Sequence, residues 1–362
     1  MAKLSLRVDD GLHRPVTWLE LFFDLAFVIS ISSLVHLLVQ SPDPQGLLNY
    51  VAIFIPVWWV WNQFTWFSSH FDNDDLGFRL FLLSGIVGTL FLTRGLHAYA
   101  HGDLAPFIGG YLFLHLCIML GWLRAHRDVR AYTPYIRFKL LGSLLGIVFW
   151  GIAFFATGTS QFFLCATGLA LQLLMPIFAW MTVKKMISIH QHHLLERHGL
   201  FLIILLGECL LLLSRRFSDH LVPNREFLLD LLIIFQVWWI YFDWKYDPVN
   251  LQKTANAFAF NYGHFFVYAS IGVLAAGIAL GMAHGYFVNL GVGVYLTSLA
   301  TMNLLGQREN ASLRPYGMLG LGVVLQLWAL AQFGGSQWPA VLALLLVVAY
   351  QSVTLGRSER GA

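Results

Sequence analysis

The sequence Thr17-Trp18-Leu19-Glu20-Leu21-Phe22-Phe23-Asp24-Leu25-Ala26-Phe27-Val28-Ile29 combines a long apolar run with two acids. It opens the first long apolar run of the chain, yet it carries two carboxylates, Glu20 and Asp24, one helical turn apart. In a soluble protein this would be an ordinary amphipathic helix. In a membrane helix a charged residue costs about 2.5–3.5 kcal/mol at the helix centre. The presence of Glu20 and Asp24 in this run therefore requires a structural or functional explanation.

The composition predicts an all-α polytopic membrane protein. Hydrophobic residues make up 58% of the 362 residues and charged residues only 11%, whereas soluble domains carry about 25% charged residues. Apolar runs long enough to span a bilayer recur from end to end, which excludes one large soluble core. We expect a lipid bilayer as the partner, and nothing in the sequence suggests nucleic-acid binding.

The first apolar run and the cysteines have plain structural interpretations. The run is interrupted by Glu20 and Asp24 and is not followed by a small-residue cleavage site, so we expect it to remain in the mature protein. Cys117, Cys165 and Cys209 each lie inside an apolar run. They indicate small core residues and neither a disulfide framework nor a metal site.

Twelve apolar runs predict twelve membrane spans. They fall at 17–39, 49–69, 79–100, 106–123, 138–157, 161–183, 196–214, 227–244, 258–283, 287–305, 316–333 and 338–355. All but four of the 22 Lys and Arg residues lie in alternate links or at the termini, the exceptions being Arg94, Arg215, Arg216 and Arg225. By the positive-inside rule, both termini are predicted to be cytoplasmic, in the inner membrane.

An internal repeat predicts two parallel six-helix halves. Trp58-Trp59 corresponds to Trp238-Trp239, and Pro134-Tyr135 corresponds to Pro315-Tyr316, with offsets near 180 residues. An even number of spans in each half gives both the same orientation. The predicted division is a repeat at 1–183, a cytoplasmic linker at 184–198 and a second repeat at 196–362.

Several motifs resemble the bacterial low-temperature-requirement A membrane proteins. They are Thr17-Trp-Leu-Glu-Leu-Phe-Phe-Asp24, Trp58-Trp59 followed by Phe71-Asp72-Asn73-Asp74-Asp75, Glu196-Arg197-His198-Gly199-Leu200-Phe201 running into Leu206-Gly207-Glu208, Trp238-Trp239-Ile240-Tyr241-Phe242-Asp243, and Tyr262-Gly263-His264. Cys209 stands where the family commonly has Ser. The resemblance implies a multi-pass membrane protein without a settled activity, and it supplies no catalytic residues.

The two acids of the first run have different interpretations. Thr17 and Glu20 have the spacing of a capping box, in which hydroxyl and carboxylate satisfy free backbone N–H groups. Asp24 lies roughly 9 Å beyond Trp18, at about 1.5 Å per residue, and is too deep to cap. It is either a buried acid paired with a neighbour to fix packing or part of an ion or proton site.

Other polar residues fall at a depth similar to that of Asp24. They suggest a polar layer for proton or cation handling, composed of Asp24, Asn62, Gln63, Asp243, Asn261 and His264. The alternative is interhelical hydrogen bonding without transport. Which of these side chains face one another does not follow from the sequence.

Glu208 and Arg94 lie deeper in their runs. Glu208 follows Glu196 by about 18 Å and Arg94 follows Arg79 by about 22 Å along a helix. We therefore predict an Arg94–Glu208 ion pair between the two halves, acting as a structural clamp or as a gate or substrate-binding pair.

The architecture favours a secondary transporter of a small solute or ion, with proton coupling as one form. This rests on analogy with transporters built from parallel repeats. One alternative is a membrane-embedded redox protein or enzyme using outer histidines, and another is a sensor or scaffold. We assign no catalytic residues, cofactor or metal, and the histidines of the linker, His190, His192, His193 and His198, are interpreted as interfacial.

Overall fold

The computed structural model describes residues 3–7, 15–71, 73–183, 187, 189–218, 224–243, 254–306, 314–331 and 336–358. Asp72, Lys184 and Lys185, which the sequence places in links, lie outside these residues. The described part is all-helical, as predicted. Its regular elements are twelve α-helices and two short 3₁₀ turns, and the N-terminal arm adds one isolated antiparallel bridge between Leu6 and Phe71.

The helices follow the apolar runs of the sequence. Their bounds are α1 Trp18–Gln40, α2 Pro44–His70, α3 Leu76–Ala100, α4 Ala105–Asp128, α5 Thr133–Phe155, α6 Gly158–Thr182, α7 Gln191–Arg216, α8 Arg225–Asp243, α9 Thr254–Leu280, α10 Gly285–Gly306, α11 Arg314–Ala331 and α12 Trp338–Ser358. Many turn large apolar side chains outward, and Phe155 is 86% exposed. Outward apolar faces are what lipid-facing helices require.

Eight described helical segments are long and apolar enough to cross a membrane. They are Trp18–Gln40, Leu76–Ala100, Ala105–Asp128, Arg130–Phe155, Gly158–Thr182, Gln191–Arg216, Ala255–Leu280 and Met282–Leu305. Pro315–Ala331 and Trp338–Ser352 are shorter apolar helices. The prediction of all twelve runs as spans therefore stays a prediction for the other four helices.

The chain forms two compact units. The first contains Met1–Leu34 and Ala52–Arg197, and the second contains Val35–Val51 and His198–Ala362. Within the first unit α3 packs on α4, α4 on α5, and α5 on α6. Within the second unit α9 packs on α10, α10 on α11, α11 on α12, and α12 on α8. The parallel repeat and its boundaries at 183 and 196 stay predictions.

The seventh helix begins earlier than its apolar run. α7 starts at Gln191, inside the stretch that the sequence places in the cytoplasmic linker. Two polar residues of Gln191–His198, His193 and Arg197, contact buried acids on α1. Hydropathy does not detect such contacts and therefore does not predict this part of the helix. His193 and Arg197 consequently lie one helical turn apart on one face of α7.

Candidate functional site

The N-terminus of α1 is capped by its own side chains. The Thr17 backbone N–H donates to Glu20 Oε2 at 2.9 Å, and the Thr17 hydroxyl donates to the same oxygen at 2.9 Å. In return the Glu20 N–H donates to Thr17 Oγ1 at 3.3 Å. These are the reciprocal bonds of a capping box. They occupy only Oε2, so the other Glu20 oxygen is available for a second contact.

Asp24 accepts hydrogen bonds from a buried arginine, Arg197, which is the last residue of the first unit in the sequence. Arg197 Nε donates to Asp24 Oδ2 at 3.0 Å, and Arg197 Nη2 donates to Oδ1 at 2.6 Å. The indole N–H of Trp61 also donates to Asp24 Oδ1, at 2.7 Å. All three side chains are buried. Two parallel bonds between guanidinium and carboxylate fix both side chains in one geometry.

The remaining donors of Arg197 reach three further groups. Its Nη1 lies 3.2 Å from Glu20 Oε1 and donates to Ser68 Oγ at 3.1 Å. Its Nη2 donates to Thr65 Oγ1 at 3.2 Å. The guanidinium is therefore surrounded by two carboxylates and two hydroxyls, which is the kind of full satisfaction that a buried charge needs.

His193 completes the cluster on the Glu20 side. Its Nε2 lies 3.1 Å from Glu20 Oε1, and its Nδ1 lies 3.1 Å from Ser69 Oγ. Ser69 Oγ is also 2.8 Å from the Thr65 carbonyl oxygen. We call Glu20, Asp24, His193 and Arg197 the Arg197 cluster.

Helical spacing in three elements brings these residues together. Glu20 and Asp24 are four residues apart on α1, and His193 and Arg197 are four apart on α7, so each pair shares a helix face. On α2 the groups that contact the cluster follow one another at three- or four-residue spacing from Trp61 to Thr65 and from Thr65 to Ser68 and Ser69. The faces of α1, α2 and α7 thus enclose one polar centre within the first unit.

The formal charge of the Arg197 cluster depends on the proton of His193. Two carboxylates and one guanidinium give a charge of −1 when His193 is neutral, and zero when His193 is an imidazolium. Arg7 of the N-terminal arm is also buried, and its positive charge acts on His193. Because an uncompensated buried charge is costly, Arg7 offsets the charge of the cluster when His193 is neutral. His193, beside Glu20, is the group at which the cluster can gain or lose one proton.

The Ser69 hydroxyl can serve both protonation states. It has one hydrogen, so when it donates to the Thr65 carbonyl it accepts from a protonated His193 Nδ1. When that nitrogen loses its proton, the hydroxyl can turn and donate to it instead. His193 Nδ1 therefore has a hydrogen-bond partner both with and without its proton.

The predicted residues of the first unit separate into two groups. Asp24 belongs to the Arg197 cluster. Asn62 and Gln63 directly follow Trp61 in α2, and both side chains are buried. Arg94 is exposed on α3. It lies six residues before the end of that helix, within the reach of a side chain that extends to the membrane surface.

The predicted residues of the second unit include one firmly placed histidine. His264 Nδ1 lies 2.7 Å from the Phe260 carbonyl oxygen, and Nε2 lies 2.8 Å from the Tyr241 hydroxyl. The carbonyl can only accept, so Nδ1 carries the hydrogen and Nε2 accepts from Tyr241 in the neutral ring. Asn261 is buried on the same helix.

Glu208 and Asp243 are both partly exposed within the second unit. Glu208 lies in the middle of α7, and Asp243 is the last residue of α8. The predicted Arg94–Glu208 pair and the predicted polar layer each join residues from both units. Both stay predictions.

The C-terminal end of α7 carries a second arginine with two acids. Arg216 Nη1 donates to Asp230 Oδ2 and to the Ile278 carbonyl oxygen, both at 3.0 Å, and Nη2 pairs with Glu226. Glu226 and Asp230 are four residues apart on α8, like Glu20 and Asp24 on α1. Gly281, with a φ of 77°, leaves room for Arg216, since a Cβ there would lie 2.5 Å from Nη2.

The sequence did not identify Arg197 and His193 as site residues. Arg197 was counted among the positive charges of a cytoplasmic link, and His193 was interpreted as interfacial, whereas both are buried in α7. The available signal was their four-residue spacing, which matches that of Glu20 and Asp24. Two acids inside an apolar run also require a cation. Among the described residues no group of three or more His, Cys, Asp or Glu side chains could hold a metal ion.

Comparison with known proteins places the chain in a described family. Residues 15–349 match the family model "Bacterial low temperature requirement A protein (LtrA)". A protein of Rhizobium meliloti (strain 1021), itself uncharacterized, is 26% identical over 99% of this chain and 94% of its own length. No solved structure matches significantly.

Proposed function

This chain belongs to the bacterial low temperature requirement A protein family, and we propose that this multi-pass membrane protein is a secondary transporter of a small solute or ion, coupled to protons. The observation that carries the proposal is the Arg197 cluster, in which a buried histidine lies beside two buried carboxylates that share one guanidinium. Acids, histidines and arginines inside membrane helices commonly mark proton and ion pathways.

The proton-binding pair is His193 with Glu20, and Arg197 links it to Asp24. When His193 is protonated, each acid has its own cation. After the proton leaves, Glu20 and Asp24 share the single guanidinium. In this proposal the loss strengthens the attraction of Arg197 for Glu20 relative to Asp24, so that the faces of α1 and α7 take a different arrangement in each protonation state. A proton-driven transporter needs such an element with two states.

The orientation is part of the proposal. The excess of Lys and Arg in alternate links supports cytoplasmic termini in the inner membrane. The Arg197 cluster lies at the first two turns of α1 and of α7, so it would face the cytoplasmic side. A proton would then be released there after transport.

Transport is tested by electrical recording from reconstituted protein. Proteoliposomes on a solid-supported membrane are exposed to panels of sugars, amino acids, organic acids, amines and metal cations, with and without a pH gradient. We expect one class to give a current that increases with the gradient. The current should be lost in His193→Gln, which has no imidazole to carry the proton. It should be reduced in Glu20→Gln, which has no carboxylate to stabilise the imidazolium.

Two control variants separate proton coupling from stability. Thr17→Ala removes the capping hydroxyl but keeps all four groups of the cluster, so it should lower stability by about 1 kcal/mol and keep the current. Glu226→Gln changes an acid of the Arg216 site and should also keep the gradient response. If no panel gives a current, or if Glu20→Gln and Thr17→Ala behave alike in the assay, the cluster is an architectural clamp and the proposal fails.

A further inference from the structure

A cleft opens on the outer surface of the first unit between α3 and α4. Its volume is about 390 Å³, within the range of roughly 300–1,000 Å³ that ligand pockets occupy. Small residues shape it from both helices, Gly77 and Ser84 on α3 and Cys117 and Gly121 on α4. They are separated by seven and by four residues, so each pair lies along one helix face.

Aromatic rings form part of the wall of the cleft. Phe67 and Phe81 pack with ring centroids 4.8 Å apart and line the cleft. A Cβ added to Gly121 would lie 3.0 Å from a ring carbon of Phe81, so the α4 backbone packs closely on this ring. The wall of the cleft beside the small residues is therefore apolar.

The flanks of the cleft are themselves apolar and exposed. Leu80 on α3 is 50% exposed and Leu120 on α4 is 56% exposed. Both belong to helices that are apolar and long enough to cross a membrane. The cleft therefore opens toward the acyl chains of the bilayer.

The end of the cleft carries an exposed positive charge. Arg124 and Arg127 line it there. Their acidic partners are largely shielded, since the side chain of Asp75 is 15% exposed and that of Asp128 is 4% exposed, against 66% for Arg127. Arg127 contacts Asp128 through Nε. The outward-facing charge at this end of the cleft is therefore the positive charge of the Arg127 guanidinium.

We propose that this cleft binds an anionic phospholipid, with an acyl chain between α3 and α4 and its phosphate at Arg127. The apolar lining of the cleft suits an acyl chain, and the exposed guanidinium complements the phosphate. A basic group close to the headgroups of a bilayer is worth about 1 kcal/mol toward anionic lipid, or roughly fivefold in binding. This site is separate from the Arg197 cluster and does not depend on the proposed transport.

Headgroup selectivity is tested by native mass spectrometry of the delipidated full-length protein. Phosphatidylglycerol and phosphatidylcholine with matched chains are titrated in turn. We expect phosphatidylglycerol to bind about fivefold more tightly. Arg127→Gln should remove this preference, whereas Arg130→Gln, a nearby exposed arginine that does not line the cleft, should keep it. Equal binding of the two lipids to the wild type, or a preference that survives in Arg127→Gln, would overturn the proposal.

Occupancy of the cleft is tested with two leucines on α4. Leu120→Trp places an indole at the cleft, and Leu116→Trp places one on an exposed position that does not line it. Only Leu120→Trp should weaken phosphatidylglycerol binding, by about fivefold or more. Equal effects of the two variants would show that the lipid binds elsewhere.

Discussion

Arg197 and Asp24 form a buried two-bond ion pair, with Nε to Oδ2 at 3.0 Å and Nη2 to Oδ1 at 2.6 Å, although 173 residues separate them in the chain. Glu20 and Asp24 lie on one face of α1, and the same guanidinium lies 3.2 Å from Glu20 Oε1. Arg197 is therefore the cation that allows the first apolar helix to keep two carboxylates.

Removing this cation should destabilise the first unit strongly. Arg197→Gln leaves two buried acids with one imidazole, and breaking a buried pair costs about 3–5 kcal/mol. Asp24→Asn added to Arg197→Gln should recover part of that loss, because one uncompensated charge disappears. Chemical unfolding of the purified protein in detergent measures both. A double variant no more stable than Arg197→Gln would show that the pair is not the source of the loss.

The arginine at the other end of α7 should matter less, because it is closer to solvent. Arg216→Gln leaves the buried Asp230 without its cation, and we expect a loss of about 1–3 kcal/mol. Arg215→Gln is the matched control, since Arg215 is the exposed neighbour, and should change stability by less than about 0.5 kcal/mol. The unfolding midpoints of Arg216→Gln and Arg215→Gln, each compared with the wild type, measure the two losses of stability. Equal midpoints would mean that the Arg216 contacts add nothing.

Close packing of α3 and α4 can be tested at two consecutive glycines. A Cβ on Gly110 would lie 2.7 Å from the Leu92 backbone nitrogen, whereas a Cβ on Gly109 would meet only a ring carbon of Phe154, at 3.8 Å. Gly110→Ala should therefore destabilise by about 1–3 kcal/mol through overpacking. Gly109→Ala should be neutral or stabilising by up to about 1 kcal/mol, because alanine favours helix. Thermal unfolding measures the stability of Gly110→Ala and Gly109→Ala. Equal changes in the two variants would contradict the close approach of Gly110 to the Leu92 backbone.

Asp75 should contribute a pH-dependent stability. Hydrogen bonds from Arg124 lower the pKa of Asp75 below its usual value, and its bond from the Phe78 N–H adds to the effect. Because the folded pKa is the lower one, the contribution is complete above the unfolded pKa of about 4 and is lost as the pH falls through the folded value.

For a partly exposed pair this contribution is about 0.5–1 kcal/mol. Unfolding midpoints measured from pH 7 to pH 3 should fall less steeply in Asp75→Asn than in the wild type. Parallel curves for the two proteins would contradict the role of the Asp75–Arg124 pair.

Helical structure follows from the sequence because each apolar run determines its own helix. The bonds between Thr17 and Glu20 are local, and their three-residue spacing is visible in the sequence. The partner of Asp24 is not local. The polarity of Gln191–His198 is typical of a link, and only the fold shows that His193 and Arg197 contact acids on α1. The same reason explains why the predicted run at 196–214 ends before Arg216.

Nitrogen NMR of the His193 ring measures whether the His193–Glu20 pair binds one proton. The protein is labelled with ¹⁵N-histidine, and His193→Gln assigns the signals. We predict that the ring changes by one proton over the pH range in which the protein stays folded. Glu20→Gln should lower the protonated fraction at every pH, while Thr17→Ala should leave it unchanged. A His193 ring that keeps one protonation state throughout, identical in Glu20→Gln, would contradict the account.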